Sequence, residues 1–464
     1  MLFFYFNGVK NEFVFGLACG KPHVFCLPSY SVTGDKMIIH TVKSGETIYS
    51  ISREYGIDPR VLAFGNSVAD PSLLAVGQTL VINLPSVTHT VRHGDTLYSI
   101  SKRYGVTVND LYRHNLLLRG RSDIYEGDVL TVKIKDEPTL GTQIGGYAYP
   151  FIAPELLSVS LPFMNRIMPF TYGFDRNASL VRLRDENMIK SALSYGTRPI
   201  MHLSTLDGTG TFSTANASYL LSNRGLWETL AENVYDEITE KGYAGLDVDF
   251  EYLGKENADH YALFIDYMRK RLNRGGIGVM VALAPKVSDD QKGQLYEGHD
   301  YEKLGKAANA VLCMTYEWGY TYGPPFPVSP VPSVRRVLEY AVSRIEPSKI
   351  FEGLSNYGYD FTLPYVQGVS KAQSISVKYA FSLAAETKSE ILYDETYLAP
   401  YFYYSSAGKK HVVWFEDARS LKARLELINE YGLKGGLYWN LNRENNQNLS
   451  LLSSLIKPVA PSLF

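Results

Sequence analysis

The sequence predicts an α/β protein: a closed (β/α)8 barrel with a small α+β insertion, preceded by two copies of a βααβ module. Three observations lead to this architecture. One segment near the N-terminus recurs almost residue for residue, and from residue 142 onward short apolar runs alternate with helix-period stretches. Eight such runs follow one another, in a stretch longer than the ~250 residues typical of a closed barrel.

A chain of 464 residues has room for one barrel and something smaller beside it. Lys and Arg number 46 against 48 Asp and Glu, a net charge of −2, so no global field draws the chain to nucleic acid or anionic lipid. The 35 Tyr and 4 Trp exceed ordinary packing needs and suit stacking platforms for sugars. Cys19, Cys26 and Cys313 cannot build a disulfide framework, and Cys313 lies in an apolar run as a small buried thiol. The nine histidines are scattered without ligand spacing, so neither a metal site nor a cofactor is expected. No apolar stretch of about 18 residues could span a bilayer. Met1 to Phe6 is apolar but lacks a basic start, and Lys10-Asn11-Glu12 interrupts the run, so no secretory signal is read there. Residues 1–37 are expected to be a poorly ordered or untranslated extension, and the chain a monomer.

The repeat runs from His40 to Gly56 and again from His89 to Gly105, 49 residues further on. In each copy a short strand meets a Gly turn and then a helix. Ile48, Ile51 and Tyr55, or Leu97, Ile100 and Tyr104, share one helix face, and a Gly closes it. Pro59 opens a second helix and Val76 to Ile82 returns as a strand. Each copy, at 38–84 and 87–133, resembles a LysM domain. That resemblance implies a groove for N-acetylglucosamine-containing glycans, made by Ser44, Gly45, Glu46 and Thr47 with Gly77, and by Gly94, Asp95 and Thr96 with Gly127. Modules of this size also serve as spacers or dimer contacts. Two weak sites on one polymer would gain by avidity. A linker over 134–141 leads to the barrel at 142–464.

The barrel strands begin near Ile144, Ile167, Pro199, Ala244, Gly278, Ala310, Ile350 and Gly435. Leu230, Val234 and Ile238, then Tyr261, Ile265, Met268 and Leu272, mark crossover helices. No Gly-rich phosphate loop follows the first strand, which disfavours a nucleotide enzyme. The segment at about 360–413 is too long for one loop and reads as the insertion, standing on the rim where such barrels carry their sites.

The informative run is Ala244-Gly245-Leu246-Asp247-Val248-Asp249-Phe250-Glu251-Tyr252. In a strand, Asp247, Asp249 and Glu251 share one face. On an ordinary sheet that face would simply be solvated. In a parallel strand with helices against its apolar face, the carboxylates point into the barrel and must share protons and hydrogen bonds. The run resembles the Asp-Gly-x-Asp-x-Asp-x-Glu signature of glycoside hydrolase family 18, with Ala244 in place of the first Asp. Met314-Thr315-Tyr316-Glu317 resembles the family's Met-x-Tyr-Asp, with Glu for Asp, and Gly436-Leu437-Tyr438-Trp439 its eighth strand end.

The resemblance implies substrate-assisted retention: Glu251 as proton donor, Asp249 orienting the acetamido group, Asp247 sharing its proton, Tyr316 holding the acetamido oxygen and Trp439 flooring the sugar site. Tyr147, Glu317, Trp318, Asn356, Tyr357 and Tyr359 are further substrate-binding candidates. Trp439 and Tyr316 could equally be core residues. Together with Ala284-Pro285-Lys286 and His411 to Asp417, the arrangement resembles the spore-cortex fragment-lytic N-acetylglucosaminidases of endospore formers. This implies peptidoglycan as partner and a place in the coat or cortex region of the spore. A chitinase would share every catalytic residue, and a lectin would have no need of Glu251.

Overall fold

The computed structural model describes residues 37–136 and 138–459. The expected N-terminal extension, with Cys19 and Cys26, lies outside the described residues, as does Glu137 of the linker. Among the described residues no helix is long and apolar enough to cross a membrane.

Two βααβ modules come first. Ile38–Thr41, Ile48–Tyr55, Pro59–Gly65 and Thr79–Ile82 form one; Pro85–Thr90, Leu97–Tyr104, Val108–His114 and Val129–Ile134 the other. In each, the two strands pair antiparallel. The first helices start alike because Thr47 and Thr96 build capping boxes with Ser50 and Ser99, satisfying two otherwise orphaned backbone donors each. They stop alike because Gly56 and Gly105 adopt left-handed φ of 68° and 66°. An asparagine ties the second helix to the closing strand. Asn66 Nδ2 donates to the carbonyls of Leu62 and Val81 while its Oδ1 accepts from Val81 N, and Asn115 repeats this with Leu111 and Thr131.

The barrel strands are Leu140–Ala148, Arg166–Pro169, Arg198–Pro199 with Met201–Ser204, Gly245–Asp249, Gly278–Leu283, Ala310–Cys313, Ile350–Ser355 and Gly435–Trp439. Each pairs parallel with the next and the eighth with the first. The third is broken at Ile200, whose N–H still reaches the carbonyl of Ile167 at 2.9 Å. The first strand starts inside the expected 134–141 linker and also pairs with Ile456–Pro458. The fourth strand is shorter than the run read from sequence. Its neighbours' last partners are Val248 and Asp249, so Phe250 leaves the sheet and stacks on Tyr261 and Phe264 of the following helix, Ala258–Leu272.

The insertion begins earlier than the expected residue 360. Tyr357–Leu363 follows the seventh strand after one residue and joins Gln373–Ser376, Lys409–Trp414, Ala399–Ser406 and Leu392–Asp394 in a five-stranded antiparallel sheet. One apolar cluster joins the helix Val377–Glu386 to Phe402, Val413, Phe415 and Ala75 of the first module. Another gathers Tyr357, Tyr359, Phe361 and Val412 against the half-buried Tyr316 and Trp439. The sheet therefore closes one side of the barrel mouth.

The last helix, Asn446–Leu455, is buried at every position, which an amphipathic surface helix would not be. Gln447 donates to the Thr79 carbonyl at 2.5 Å, Ser450 to that of Gly65 at 2.6 Å, and Ser453 to that of Arg113 at 2.9 Å. Both modules are thus seated on the barrel through this helix.

Candidate active site

Asp247 and Asp249 stand on the fourth strand, and Glu251 follows just past its end, toward the open end of the barrel. Asp247 is fully buried. Its Oδ2 accepts from Tyr147 of the first strand at 2.7 Å, and Oδ1 has no hydrogen bond among the described residues. Burial pushes its carboxyl up to about 6, opposed by the charge of His202 and the Tyr147 hydrogen bond. Asp249 keeps a 13% exposed side chain and an Oδ1 likewise without a partner there.

Glu251 is half-buried just past the strand end. Burial, and then the charge of Asp249, raise its carboxyl well above the ordinary value. A carboxyl raised in this way holds its proton to higher pH than a free glutamate, as a general acid needs.

Tyr316 follows the sixth strand. Burial and the charges of Asp249, Glu251 and Glu317 raise its phenol well above the usual range, so it remains a hydrogen-bond donor. Trp439 ends the eighth strand half-buried, its ring 4.8 Å from Phe170 and 5.7 Å from Tyr147 between centroids. Glu317 takes a left-handed φ of 66°, a conformation non-glycine residues adopt at a cost. Both Tyr357 and Tyr359 of the insertion donate to it, Tyr359 at 2.9 Å to Oε2. Burial nevertheless pushes Glu317 up to about 7. Asn356 is buried with its Oδ1 unpartnered among the described residues.

This is a carboxyl group with a raised pKa beside two further aspartic carboxyls, walled by aromatic rings. The model of glycosyl hydrolases family 18 matches residues 207–444, about half of the chain. The cortical fragment-lytic enzyme of Bacillus subtilis (strain 168) is 35% identical over 426 residues, covering 90% of this chain and 97% of the relative. The chain belongs to glycoside hydrolase family 18. Crystal structures of the spore cortex-lytic enzyme SleL from Bacillus megaterium QM B1551 and from Bacillus cereus give TM-scores of 0.77 and 0.75 at 34% and 31% identity. They cover 92% and 91% of this chain and 99% and 98% of those chains. The LysM model matches twice, at 40–83 and 89–133.

In this family-18 barrel the structure brings together Asp247, Asp249, Glu251, Tyr316, Tyr147 and Trp439, and joins Glu317 to Tyr357 and Tyr359. Trp318 packs partly against the main barrel core, and its backbone N–H donates to Val328. Ala244 alternates to the strand face opposite Asp247, and its backbone N–H donates to the Pro199 carbonyl. The module residues expected at glycan grooves hold their own turns. Glu46 accepts from Lys43 N and contacts His40 Nε2 at 2.9 Å; Asp95 does the same with Arg92 N and His89. Thr47 and Thr96 are caps, while Ser44 and the turn glycines Gly45 and Gly94 face open space.

The two modules differ at the second loop. Gly77 lies against Ile391 of the insertion, whose N–H donates to the Val76 carbonyl at 2.8 Å, whereas Gly127 has nothing near its Cβ position.

Sequence reasoning missed His202 of the third strand and Thr171. His202 pairs in register with Asp247, and its Nε2 lies 3.8 Å from Asp247 Oδ2 and 3.6 Å from Asp249 Oδ2. The available signal was a histidine inside a predicted barrel strand.

Proposed function

We propose that the chain hydrolyses the glycosidic bond at N-acetylglucosamine in spore-cortex peptidoglycan, with retention of configuration and with the substrate's own acetamido group as nucleophile. The observation that carries this reading is the placement of Glu251 just past the strand that carries Asp247 and Asp249, where burial and the charge of Asp249 raise its carboxyl. Glu251 gives its proton to the leaving oxygen as the C1–O bond breaks. The acetamido carbonyl oxygen bonds to C1, and Asp249 accepts from the acetamido N–H as positive charge grows there. Tyr316 donates to the acetamido oxygen, fixing its line of attack, and Trp439 lies under the ring. Glu251, now a carboxylate, takes a proton from the water that attacks C1 and reopens the intermediate. The relatives named for cortex lysis, similar over nine-tenths of the chain, support cortex as the substrate and the spore as the place of action. The LysM modules would hold the polymer beside the cleft.

The test compares wild type with Glu251→Gln on purified cortex peptidoglycan and on chitin oligosaccharides, reading new reducing ends by mass spectrometry. Cortex fragments ending in N-acetylglucosamine from wild type, and at least a hundredfold less from the variant, are expected. Faster cleavage of chitin would transfer the substrate to chitin. Binding without cleavage of either would leave a lectin.

A further inference from the structure

His202 stands outside the residues to which the family-18 chemistry proposed above gives a role, and its surroundings are unusual. Its ring is buried, edge-on to Tyr147 at 5.3 Å and tilted over Phe170 at 4.8 Å. Nδ1 lies 2.6 Å from Thr171 Oγ1. Two hydroxyls reach the Tyr172 carbonyl, Thr171 at 2.9 Å and Ser204 at 3.2 Å, and Thr171 Oγ1 also lies 3.0 Å from Ser204 Oγ; with Thr171 donating along the shorter carbonyl contact, its oxygen accepts from Nδ1–H.

Nε2 makes no hydrogen bond among the described residues, and it faces Asp247 Oδ2 and Asp249 Oδ2. With Nδ1 carrying a proton, Nε2 is a lone pair directed at two carboxylates. Three acceptors this close together, with the ring and Asp247 buried, repel one another unless a proton lies among them. The other groups facing this space do not remove the need. Tyr147 already donates to Asp247, Glu251 adds a further carboxyl, the Tyr316 phenol is neutral, and Arg166 contributes charge to Asp247 from below.

We infer that His202 is a positioning residue that shares one proton with the Asp247–Asp249 pair. In one arrangement the proton is on an aspartic oxygen and the ring is neutral; in the other it is on Nε2, leaving imidazolium and two carboxylates. The O–H bond breaks as the N–H bond forms, and the trio keeps a net charge of −1 throughout. Asp249 thereby becomes fully anionic as positive charge develops on the substrate nitrogen, without a change in the total buried charge.

The inference rests on the hydrolase reading for its consequence but not for its test. Long-range 1H–15N spectra of the full chain at neutral pH report the proton occupancy of each histidine. Asp247→Asn and Asp249→Asn are each expected to displace the His202 Nε2 signal. The Nε2 signal of His299, which is held between Ala284 N–H and the Phe250 carbonyl, is expected to stay. A His202 signal unmoved by either variant overturns the inference, whether or not the chain cleaves any polymer. In kinetics, His202→Asn and His202→Gln are expected to lower kcat on the order of tenfold or more at little change in KM, and to move the acid limb of the pH–rate profile upward. Equal loss at every pH, or none, would also overturn it. A wild type active on no glycan, with the Nε2 displacements observed, would remove the hydrolase reading and leave the shared proton.

Discussion

Glu317 shows burial and hydrogen bonding competing over one proton. Two phenols donate to it and the charge of Arg443 favours its anion, yet the loss of water prevails and its carboxyl rises to about 7 from an ordinary 4.5. A folded-state value above the unfolded one means its contribution to stability is complete below about 4.5 and is lost as pH rises through about 7. Glu317→Gln, neutral throughout, is therefore expected to gain on wild type between pH 5 and pH 8, by on the order of 3 kcal/mol, in urea melts at the two values. At this scale the acidic trio was legible because alternation marks one strand face, and Glu317 because it follows Tyr316 in a recognisable run. His202 was not, since a single histidine in a strand carries no pattern. Its meaning appears only once the register sets it opposite Asp247.

Among elements, the insertion and the first module illustrate what periodicity conveys and what it withholds. The insertion was legible as too much chain for a loop. Its first strand, directly after Asn356, was hidden because aromatic alternation at Tyr357, Tyr359 and Phe361 continues the barrel strand without a turn signal. The similarity of the two modules was legible; their different surroundings were not, because docking depends on residues more than 300 positions away. Gly77 and Gly127 have left-handed φ of 84° and 94°, but a Cβ at Gly77 would fall 2.0 Å from the Ile391 carbonyl oxygen, whereas at Gly127 it meets nothing. Gly127→Ala is expected to cost about 1 kcal/mol from backbone conformation alone. Gly77→Ala is expected to cost roughly 1–3 kcal/mol more by forcing the insertion away, as denaturant unfolding would read. Equal losses would mean that the loop and the insertion separate readily in solution.

At the scale of the molecule, the boundaries read from sequence do not mark mechanical independence. The module cores are small, and their outer polar groups are satisfied by Asn446–Leu455. Gln447 bridges Thr79 of the first module and the backbone N–H of Ala418. Removing that side chain leaves buried groups on both sides unpaired, at about 1–3 kcal/mol each. Gln447→Leu is expected to lower the melting temperature and to split a single calorimetric transition into two, the first belonging to the modules. One sharp transition in the variant would show that the apolar contacts alone keep modules and barrel together.

The same helix sets an order on the birth of the protein. Thr79 leaves the ribosome 368 residues before Gln447, which at ~5–20 residues per second is a wait of roughly 20–70 s. During that time the residues that pair within each module are all present, but the helix that meets them is not. The ten residues of this helix therefore act as a latch: a chain that stops short of Asn446 carries a barrel without this helix and two modules whose receiving surface is missing.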